Sequence, residues 1–541
     1  MLKELVRAKL SEALAGLGLE GPEPEVFPSE RPEHGDLSSN IAFTLKCGPP
    51  QEVARRIIAH LDRGPFLKVE VAGPGFINFF LRPEAIQRVL HAVLEQGERY
   101  GALDLGRGKR VQVEYGSANP TGPLHIGFGR NVVLGDTIAN LLAALGYEVE
   151  REYYVNDAGT QVELFARSLY YYYAQALGRE PPFDFPEGGY RGEYLRAWAE
   201  ELAAAEPELL QLPLEEALVE VKRWGLERVL EGVREDLGRL RIHYDSWFYE
   251  HDLYDDGGFA KVMALLRERG YLEEREGAVW FKATALGAEK DEVFIRSDGR
   301  PGYFASDAAY HYEKFIERGF DWVIDVWGAD HQGHVPRMLA MMRAMGLDPE
   351  RLTLLIYQLV TIKRGGEEVR LSKRSGELVT LRELIDEVGP DAVRYFLLSR
   401  SPDTHLEFDL ELATQQSKEN PVFYIQYAHT RIAGIFRELK ERVDDWPAID
   451  LGPLKAREEL DLIKRLDEFP EVVRDAAQGF APHLLANYAY GLAALFQVFY
   501  DRYRVLGSGE SEAPRLALCR GVQLVLQRAL KIMGVAAPER M

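Results

Sequence analysis

The feature that most constrains the fold is a strand–loop–helix–strand segment between residues 110 and 155. RVQVEY at 110–115 has the β-branched character of a short strand, and a polar Gly/Pro-rich loop follows it. Residues 130–145 read as a helix that ends at Gly146, and EVEREYYV at 148–155 reads as a second strand. Two strands joined through a helix lie parallel in one sheet, so this segment predicts an α/β domain.

The remaining sequence divides into three parts with different periodicity. Residues 1–105 read as a small α+β unit, and residues 406–541 read as helix almost throughout. The α/β pattern occupies residues 106–405, with a helix-rich insertion at about 160–290. We therefore predict a multidomain α/β protein with a Rossmann-type parallel-sheet domain between an N-terminal α+β domain and a C-terminal all-α domain.

Several strand-like runs are specific enough to be checked. Two of them lie in the N-terminal part, at 68–72 and 76–81, on either side of a Gly-Pro-Gly turn. In the central part, strand-like runs are expected at 278–283 (AVWFKA), 291–298 (DEVFIRSD), 322–328 (WVIDVWG) and 353–363 (TLLIYQLVTIK).

Composition excludes several classes of protein. The 541 residues carry a net charge of −21, which argues against a nonspecific nucleic-acid coat, although local basic patches can still hold RNA. No apolar run approaches the roughly 18 residues that a membrane-spanning helix needs. The only two cysteines, Cys47 and Cys519, predict neither a disulfide framework nor a structural metal. We expect a cytoplasmic protein with no membrane association.

The loop at 119–129 has the character of a phosphate site. It joins a strand to a helix N-terminus, where open parallel sheets bind ligands and free N–H groups suit an anion. Gly122, Gly127 and Gly129 allow close backbone approach, and His125 can donate to developing phosphate charge. The Walker pattern GxxxxGK[ST] is absent from the loop. A glycine-rich turn with a structural histidine is the alternative.

A second polar segment, RLSKR at 370–374, crowds basic residues just after Lys363 and Arg364. Ammonium and guanidinium groups are good clamps for transferring phosphates. Taken alone, the segment reads more readily as a solvated basic turn.

Together, H-I-G-F at 125–128 and R-L-S-K-R at 370–374 resemble the HIGH and KMSKS signatures of class I aminoacyl-tRNA synthetases. Longer segments are similar to the arginyl-tRNA synthetase family in particular, over the whole chain and in the family's order. They are VEYGSANPTGPLHIGFGRNVVLGD, YYVNDAG, SDGRPGYFASDAAYHYEK, GADHQGH and RLSKRSGELVTLRELIDEVGPDAVRYFLL, with HGDLSSNIAF and VAGPGFINFFL resembling the family's additional N-terminal domain.

Two positions depart from the signatures. Phe128 stands where HIGH has its second histidine, and losing one such donor can cost about 10²–10³ in rate. A tRNA-binding paralogue that no longer catalyses is therefore an alternative. Arg370 replaces the first lysine of KMSKS but keeps its charge, and Lys373 retains the second lysine.

The resemblance implies a ligase that activates L-arginine with ATP, as its Mg²⁺ complex, to arginyl-adenylate and pyrophosphate. Arginine then passes to the 3′ terminal adenosine of its tRNA, with activation requiring bound tRNA. His125 and Lys373 would be the catalytic residues. Gly127, Gly328 and Asp330 would hold ATP together with those two.

An arginine pocket needs carboxylates, because a guanidinium is planar and always charged. Asp307 lies one helical turn after Tyr303, so both can face one pocket. The resemblance implies that Asp307 and Glu250 pair with the guanidinium and that Tyr303 adds a hydroxyl. It also implies three contacts to the backbone of the amino acid, from Glu114, Asn119 and His331. Without the surrounding motifs, the favoured readings would be a helix cap for Asp307, a core residue for Tyr303 and a surface residue for Glu250.

The tRNA partner is implied by both outer domains. Residues 391–394 (DAVR) introduce an all-α region that resembles the DALR-type anticodon-binding module. The N-terminal domain resembles one that touches the tRNA elbow, with Asn78 as a base contact. We expect a monomer. Another class I synthetase is the remaining enzyme alternative, and Asp307 and Glu250 favour a cationic substrate against it.

Overall fold

The computed structural model describes residues 1–29, 31–369, 380–439 and 445–541, and describes only the backbone of Tyr303. The N-terminal part contains α1 (Leu2–Gly16), β1 (Val26–Pro28), β2 (Leu37–Ser39), α2 (Ile41–Thr44), α3 (Pro50–His60), β3 (Phe66–Ala72), β4 (Phe76–Leu81) and α4 (Pro83–Gln96). The four strands form an antiparallel sheet in the order β1-β2-β4-β3. The two strands predicted here, at 68–72 and 76–81, are confirmed as parts of β3 and β4.

The central part contains β5 (Arg110–Glu114), α5 (Ile126–Ala144), β6 (Glu148–Val155), α6 (Thr160–Ala176), α7 (Glu193–Ala205), α8 (Leu214–Arg239), β7 (Ser246–Tyr249), α9 (Asp252–Asp255), α10 (Gly258–Glu268), β8 (Leu272–Arg275), β9 (Ala278–Phe281), β10 (Glu292–Ile295), α11 (Tyr303–Tyr312), β11 (Trp322–Gly328), α12 (Val335–Ala344), β12 (Leu352–Tyr357), β13 (Val360–Arg364), β14 (Glu367–Glu368), α13 (Leu381–Val388), α14 (Pro390–Leu398), β15 (Leu406–Asp409) and α15 (Leu410–Thr414). Short 3₁₀-helices lie at Pro32–His34, Gly97–Arg99, Pro207–Gln211, Ala283–Leu286, Ala329–His334, Pro349–Arg351 and Gly509–Ser511, and a π-helix lies at Glu313–Glu317.

The predicted parallel sheet is confirmed. Five parallel strands run in the order β12-β11-β5-β6-β7. From β5 the chain crosses through α5 to β6 on one side, and it returns later to place β11 on the other side. The carboxyl ends of β5 and β11 therefore flank a topological switch point, where open α/β sheets bind their ligands.

The predicted insertion at about 160–290 is divided in the structure. Helices α6, α7 and α8 lie between β6 and β7, and β7 returns to the main sheet. Strands β8, β9 and β10 then form a separate antiparallel sheet, so the runs at 278–283 and 291–298 do not extend the parallel sheet. Sequence periodicity identifies a strand but not the sheet that it joins.

The run at 353–363 also divides, into β12 of the main sheet and β13, which pairs with β14 and β15. Arg130, whose side chain is fully buried, explains the break. Its guanidinium donates to the carbonyl oxygens of Gln358, Ser401 and Thr404 at 2.6–2.9 Å. A buried guanidinium needs such acceptors, so it holds the backbone between β12 and β13 out of the sheet.

The C-terminal part is helical, as predicted, with α16 (Pro421–Arg437), α17 (Arg457–Gln478), α18 (His483–Arg502) and α19 (Glu512–Met533). Arg394 joins this part to the central one. Its buried guanidinium donates to Met533 O at 2.6 Å and to Leu240 O at 2.8 Å, and it pairs with Asp136 of α5. The end of α19 is thereby attached to the helix that begins at the HIGF segment.

Within the described residues, no helix is both long enough and apolar enough to cross a membrane. Both cysteines are unpaired, with Cys47 exposed and Cys519 buried.

Candidate active site

His125 lies at the start of α5, beside the carboxyl end of β5. It is the N-cap residue of the helix, and its Nδ1 accepts a hydrogen bond from the backbone N–H of Gly127 at 3.0 Å. This cap explains why the helix begins at Ile126, earlier than the predicted residue 130. Because Nδ1 is an acceptor, the neutral ring carries its proton on Nε2, the form that can donate to a phosphate oxygen.

The glycine at 127 is required by this geometry. A Cβ there would lie 2.6 Å from Cε1 of His125, too close for any other residue without displacing the ring. Phe128 packs edge-on against the His125 ring, with the two centroids 4.8 Å apart. Phe128 therefore contributes packing, and no hydrogen bond, to the imidazole beside it.

The second signature, RLSKR at 370–374 with Arg370 and Lys373, lies outside the described residues, which resume at Thr380. Thr380 forms an antiparallel bridge with His125, and Leu381 N donates to Leu124 O at 2.8 Å. The chain that leaves the second signature thus meets the loop that carries the first.

The GADHQGH segment lies at the carboxyl end of β11. Gly328 closes the strand, and a Cβ on it would lie 2.5 Å from Oδ1 of Asp330. Asp330 is exposed on the 3₁₀-helix that follows, with its carboxylate 3.4 Å from Nε2 of His331, which is also exposed. Asp330 and His331 therefore border the switch point, and both side chains are open to a ligand.

Glu250 and Asp307 converge, although they lie on separate elements. Glu250 follows β7, Asp307 lies in α11, and both are half-buried. Burial raises the pKa of Glu250 to about 7, and the nearby carboxylates of Asp157 and Asp307 contribute to that rise. Burial also raises the pKa of Asp307. Neighbouring desolvated carboxylates repel one another, and a bound cation would relieve that repulsion.

Tyr154 and Asp157 also belong to this pocket, although sequence reasoning did not single them out. Tyr154 packs against Tyr310 with the ring centroids 4.6 Å apart and the ring planes tilted by 44°. Burial raises the pKa of its hydroxyl, and the nearby carboxylates of Glu250 and Asp307 raise it further. The segment YYVNDAG contains both residues and spans the end of β6, and this was the available signal in the sequence.

Glu114 is the last residue of β5, and each of its two carboxylate oxygens has a partner. It accepts a hydrogen bond from Ser117 Oγ at 3.0 Å, and its other oxygen lies 2.7 Å from Nζ of Lys314. Lys314 is fully buried and also contacts Asp325 Oδ1 at 2.9 Å. Lys314 and Asp325 were not predicted, because the strand register places Asp325 beside Glu114 and the packing of a helix brings Lys314 there.

Asn119 is exposed at the mouth of the crevice, where its Nδ2 donates to Gln161 Oε1 at 2.8 Å. Tyr303 is the first residue of α11, one turn before Asp307, and its side chain is not described.

Asn78 lies in β4, far from this crevice in the chain. It is only 3% exposed, and its Oδ1 accepts from Ser38 Oγ at 2.8 Å. Its Nδ2 is the group left for a base contact, and that contact stays a prediction.

Comparison with known proteins gives the same arrangement along the chain. A family profile described as "Arginyl tRNA synthetase N terminal domain" matches residues 1–81. One described as "tRNA synthetases class I (R), catalytic domain" matches residues 89–409, and one described as "DALR anticodon binding domain" matches residues 425–541.

Curated relatives match over nearly their whole lengths. An arginine–tRNA ligase of Caldanaerobacter subterraneus subsp. tengcongensis is 47% identical over 551 residues, covering 100% of this chain and 97% of the relative. An arginine–tRNA ligase of Heliobacterium modesticaldum is 48% identical over 528 residues, covering 95% and 93%. The solved structure of the Thermus thermophilus arginyl-tRNA synthetase covers 100% of both chains, with a TM-score of 0.76 and 25% identity. With these matches and the crevice described above, the chain belongs to the arginyl-tRNA synthetase family, within the class I aminoacyl-tRNA synthetases.

Proposed function

We propose that this protein is an arginine–tRNA ligase whose two chemical steps take place in the crevice along the carboxyl edge of the main sheet, from β11 to β7. The observation that carries the proposal is that the two ends of that crevice suit ligand groups of opposite charge. A capped helix N-terminus with His125 lies at one end, and the carboxylates of Asp157, Glu250 and Asp307 cluster at the other. The first end suits triphosphate and the second suits a guanidinium.

In the first step, the carboxylate of arginine attacks the α-phosphate of ATP and pyrophosphate leaves. Such phosphoryl chemistry is mostly positioning and neutralisation of spreading negative charge. His125 and Lys373 supply that neutralisation to ATP, which enters as its Mg²⁺ complex. Gly127 lets the backbone approach the nucleotide, while Gly328 and Asp330 hold the adenosine, with the carboxylate accepting from ribose hydroxyls.

The arginine lies along the sheet edge. Asp307 and Glu250 receive the guanidinium, and Tyr303 adds a hydroxyl from the same face of α11. The amino-acid backbone is held by Glu114, Asn119 and His331. In the second step, the terminal ribose of the tRNA attacks the activated carbonyl and releases AMP.

The tRNA is held at both ends of the protein, with the DALR-type domain taking the anticodon and the N-terminal domain taking the elbow, where Asn78 contacts a base. We divide the chain at 1–105, 106–405 and 406–541, although β15 of the third range pairs with β13 of the second. We further propose that activation waits for bound tRNA, and that the protein works as a monomer in the cytoplasm.

A charging assay tests this function. We expect arginine and ATP to yield arginyl-tRNA with purified chain and tRNA for arginine, and the other amino acids to yield none. Pyrophosphate exchange should occur only when tRNA is present. Charging of another amino acid would favour a different class I synthetase. No arginyl-tRNA at high enzyme concentration would favour the paralogue without activity.

Arginine binding is predicted to strengthen as pH rises. In the free pocket Glu250 has a pKa of about 7, and a bound guanidinium lowers that pKa, so binding releases a proton below neutral pH. Affinity should increase about fivefold between pH 6 and pH 7, with a slope that approaches about tenfold per unit at lower pH, and level off above about pH 8. Calorimetry in buffers of different ionisation enthalpy measures both the affinity and the proton count. In Glu250→Gln the slope should flatten, and an unchanged slope would exclude Glu250 as its source.

A further inference from the structure

A row of three carboxylates crosses the main sheet beneath the crevice. In register, Asp325 of β11 lies opposite Glu114 of β5, which lies opposite Glu152 of β6. Asp325 and Glu152 are fully buried, and Glu114 is only 12% exposed. Like charges on neighbouring strands destabilise a sheet, so this row requires cations from outside it.

Those cations come from the segment that continues α11, the helix that carries Asp307. Lys314 inserts between two members of the row, with Nζ 2.7 Å from Glu114 Oε2 and 2.9 Å from Asp325 Oδ1. Arg318 lies 2.7 Å from Glu152 Oε2, and Tyr310 donates to the other oxygen of Glu152. Lys314 lies in the π-helix Glu313–Glu317, a rare conformation that frequently occurs at functional sites.

His311 completes the link to the guanidinium pocket. Its Nε2 lies 2.8 Å from Asp325 Oδ2, and its Nδ1 lies 2.8 Å from the carbonyl oxygen of Asp307. Asp325 thus touches Lys314 with one oxygen and His311 with the other. The two predicted arginine contacts, Glu114 at the backbone end and Asp307 at the guanidinium end, are both connected to the same buried carboxylate–ammonium pair.

Stability alone does not account for such an arrangement. Removing an ammonium and two carboxylates from water is expensive, and well-packed apolar residues often replace buried ion pairs at no loss of stability. The pKa of Asp325 is held well below its usual range, because Lys314 and His311 outweigh its burial. The pair is therefore charged, and Lys314 holds the Glu114 carboxylate at one place at the strand end.

We propose that Lys314 is a positioning residue for arginine, which sets the distance between the Glu114 contact and the Asp307 contact. This inference rests on the proposed function, because it assumes that both carboxylates bind the same amino acid. Lys314 itself lies beneath the crevice and acts through Glu114 and Asp325. ATP lies towards His125 and should not depend on it.

The test uses the full-length Lys314→Met/Asp325→Asn variant in the tRNA charging assay. Removing one positive and one negative charge together avoids leaving a buried carboxylate uncompensated in that pair. We expect KM for arginine to rise about 10–100-fold, because a misplaced contact loses binding, while KM for ATP stays within about twofold. Lys261→Met is the matched control. Lys261 is half-exposed and contacts Glu317 of the same π-helix at 3.0 Å from outside, so its variant should match the wild type.

Equal changes in both KM values, or an unchanged KM for arginine, would overturn the inference. So would loss of folded protein by circular dichroism, because Lys314 would then serve folding. These outcomes are distinguishable from failure of the proposed function, in which the wild-type chain itself does not charge tRNA with arginine.

Discussion

Asp307→Asn should lose arginine-dependent charging of tRNA almost completely. The amide keeps the shape of the carboxylate but has no charge for a guanidinium, and one of its two ends is a donor that faces other donors. Truncating one partner of a buried charged pair costs about 3–4 kcal/mol, which corresponds to about 10²–10³ in kcat/KM for arginine. The measurement is the initial rate of arginyl-tRNA formation over a range of arginine concentrations.

ATP binding separates this effect from a damaged fold. Asp307 lies in α11 and His125 caps the start of α5, so the affinity of the variant for ATP should stay close to that of the wild type. Asp298→Asn is the control, because Asp298 is exposed and its carboxylate pairs with Arg300 nearby in the chain. Wild-type affinity for arginine in the Asp307 variant would count against the pocket. An equal loss in the Asp298 variant would show that the effect is not specific to Asp307.

His125→Asn should slow adenylate formation by about 10²–10³ while leaving the protein folded. Asparagine is a good N-cap residue, so it can accept from the N–H of Gly127 as Nδ1 does now. Its side chain is too short to place a donor where Nε2 lies. The helix start is therefore kept, and the hydrogen bond to the phosphate is lost. Pyrophosphate exchange in the presence of tRNA measures the step.

His125→Gln provides the converse test, because its amide reaches the position of Nε2 but caps the helix poorly. We expect it to retain more activity than His125→Asn and to melt at a lower temperature. His60→Asn is the control variant, because His60 is exposed at the end of α3, and its activity should match that of the wild type. Equal rates of adenylate formation in the Asn and Gln variants would show that Nε2 does not act as a hydrogen-bond donor. They would leave His125 as a helix cap alone.

Local patterns were sufficient for much of the fold. The alternation in β5, the glycine-rich loop and the largely apolar sequence of α5 identify a βαβ unit, because these patterns depend on neighbouring residues. The same patterns failed at 353–363, where continuous hydrophobicity hides a break. That break depends on the buried Arg130, which reaches Gln358 from a distant helix.

The candidate site was predictable only through motifs. His125, Gly127 and Asp330 lie in segments whose amino-acid sequence is specific to the family. The structure places all three at the carboxyl edge of the sheet. Glu250 and Asp307 come from separate segments, and nothing in their spacing brings them together. Lys314 could be read as one more charged residue on a helix.

By itself, the sequence determined the order of the strands and helices along the chain, the loop that precedes α5 and the acidic residues available for a cation. Those properties follow from local periodicity and residue type. Tertiary structure alone decided that Glu114, Glu152 and Asp325 share one register, and that Lys314 is buried between two of them. The physical reason is that strand pairing and helix docking join residues that are far apart in the chain. A charge acquires its role from the partners with which it is buried.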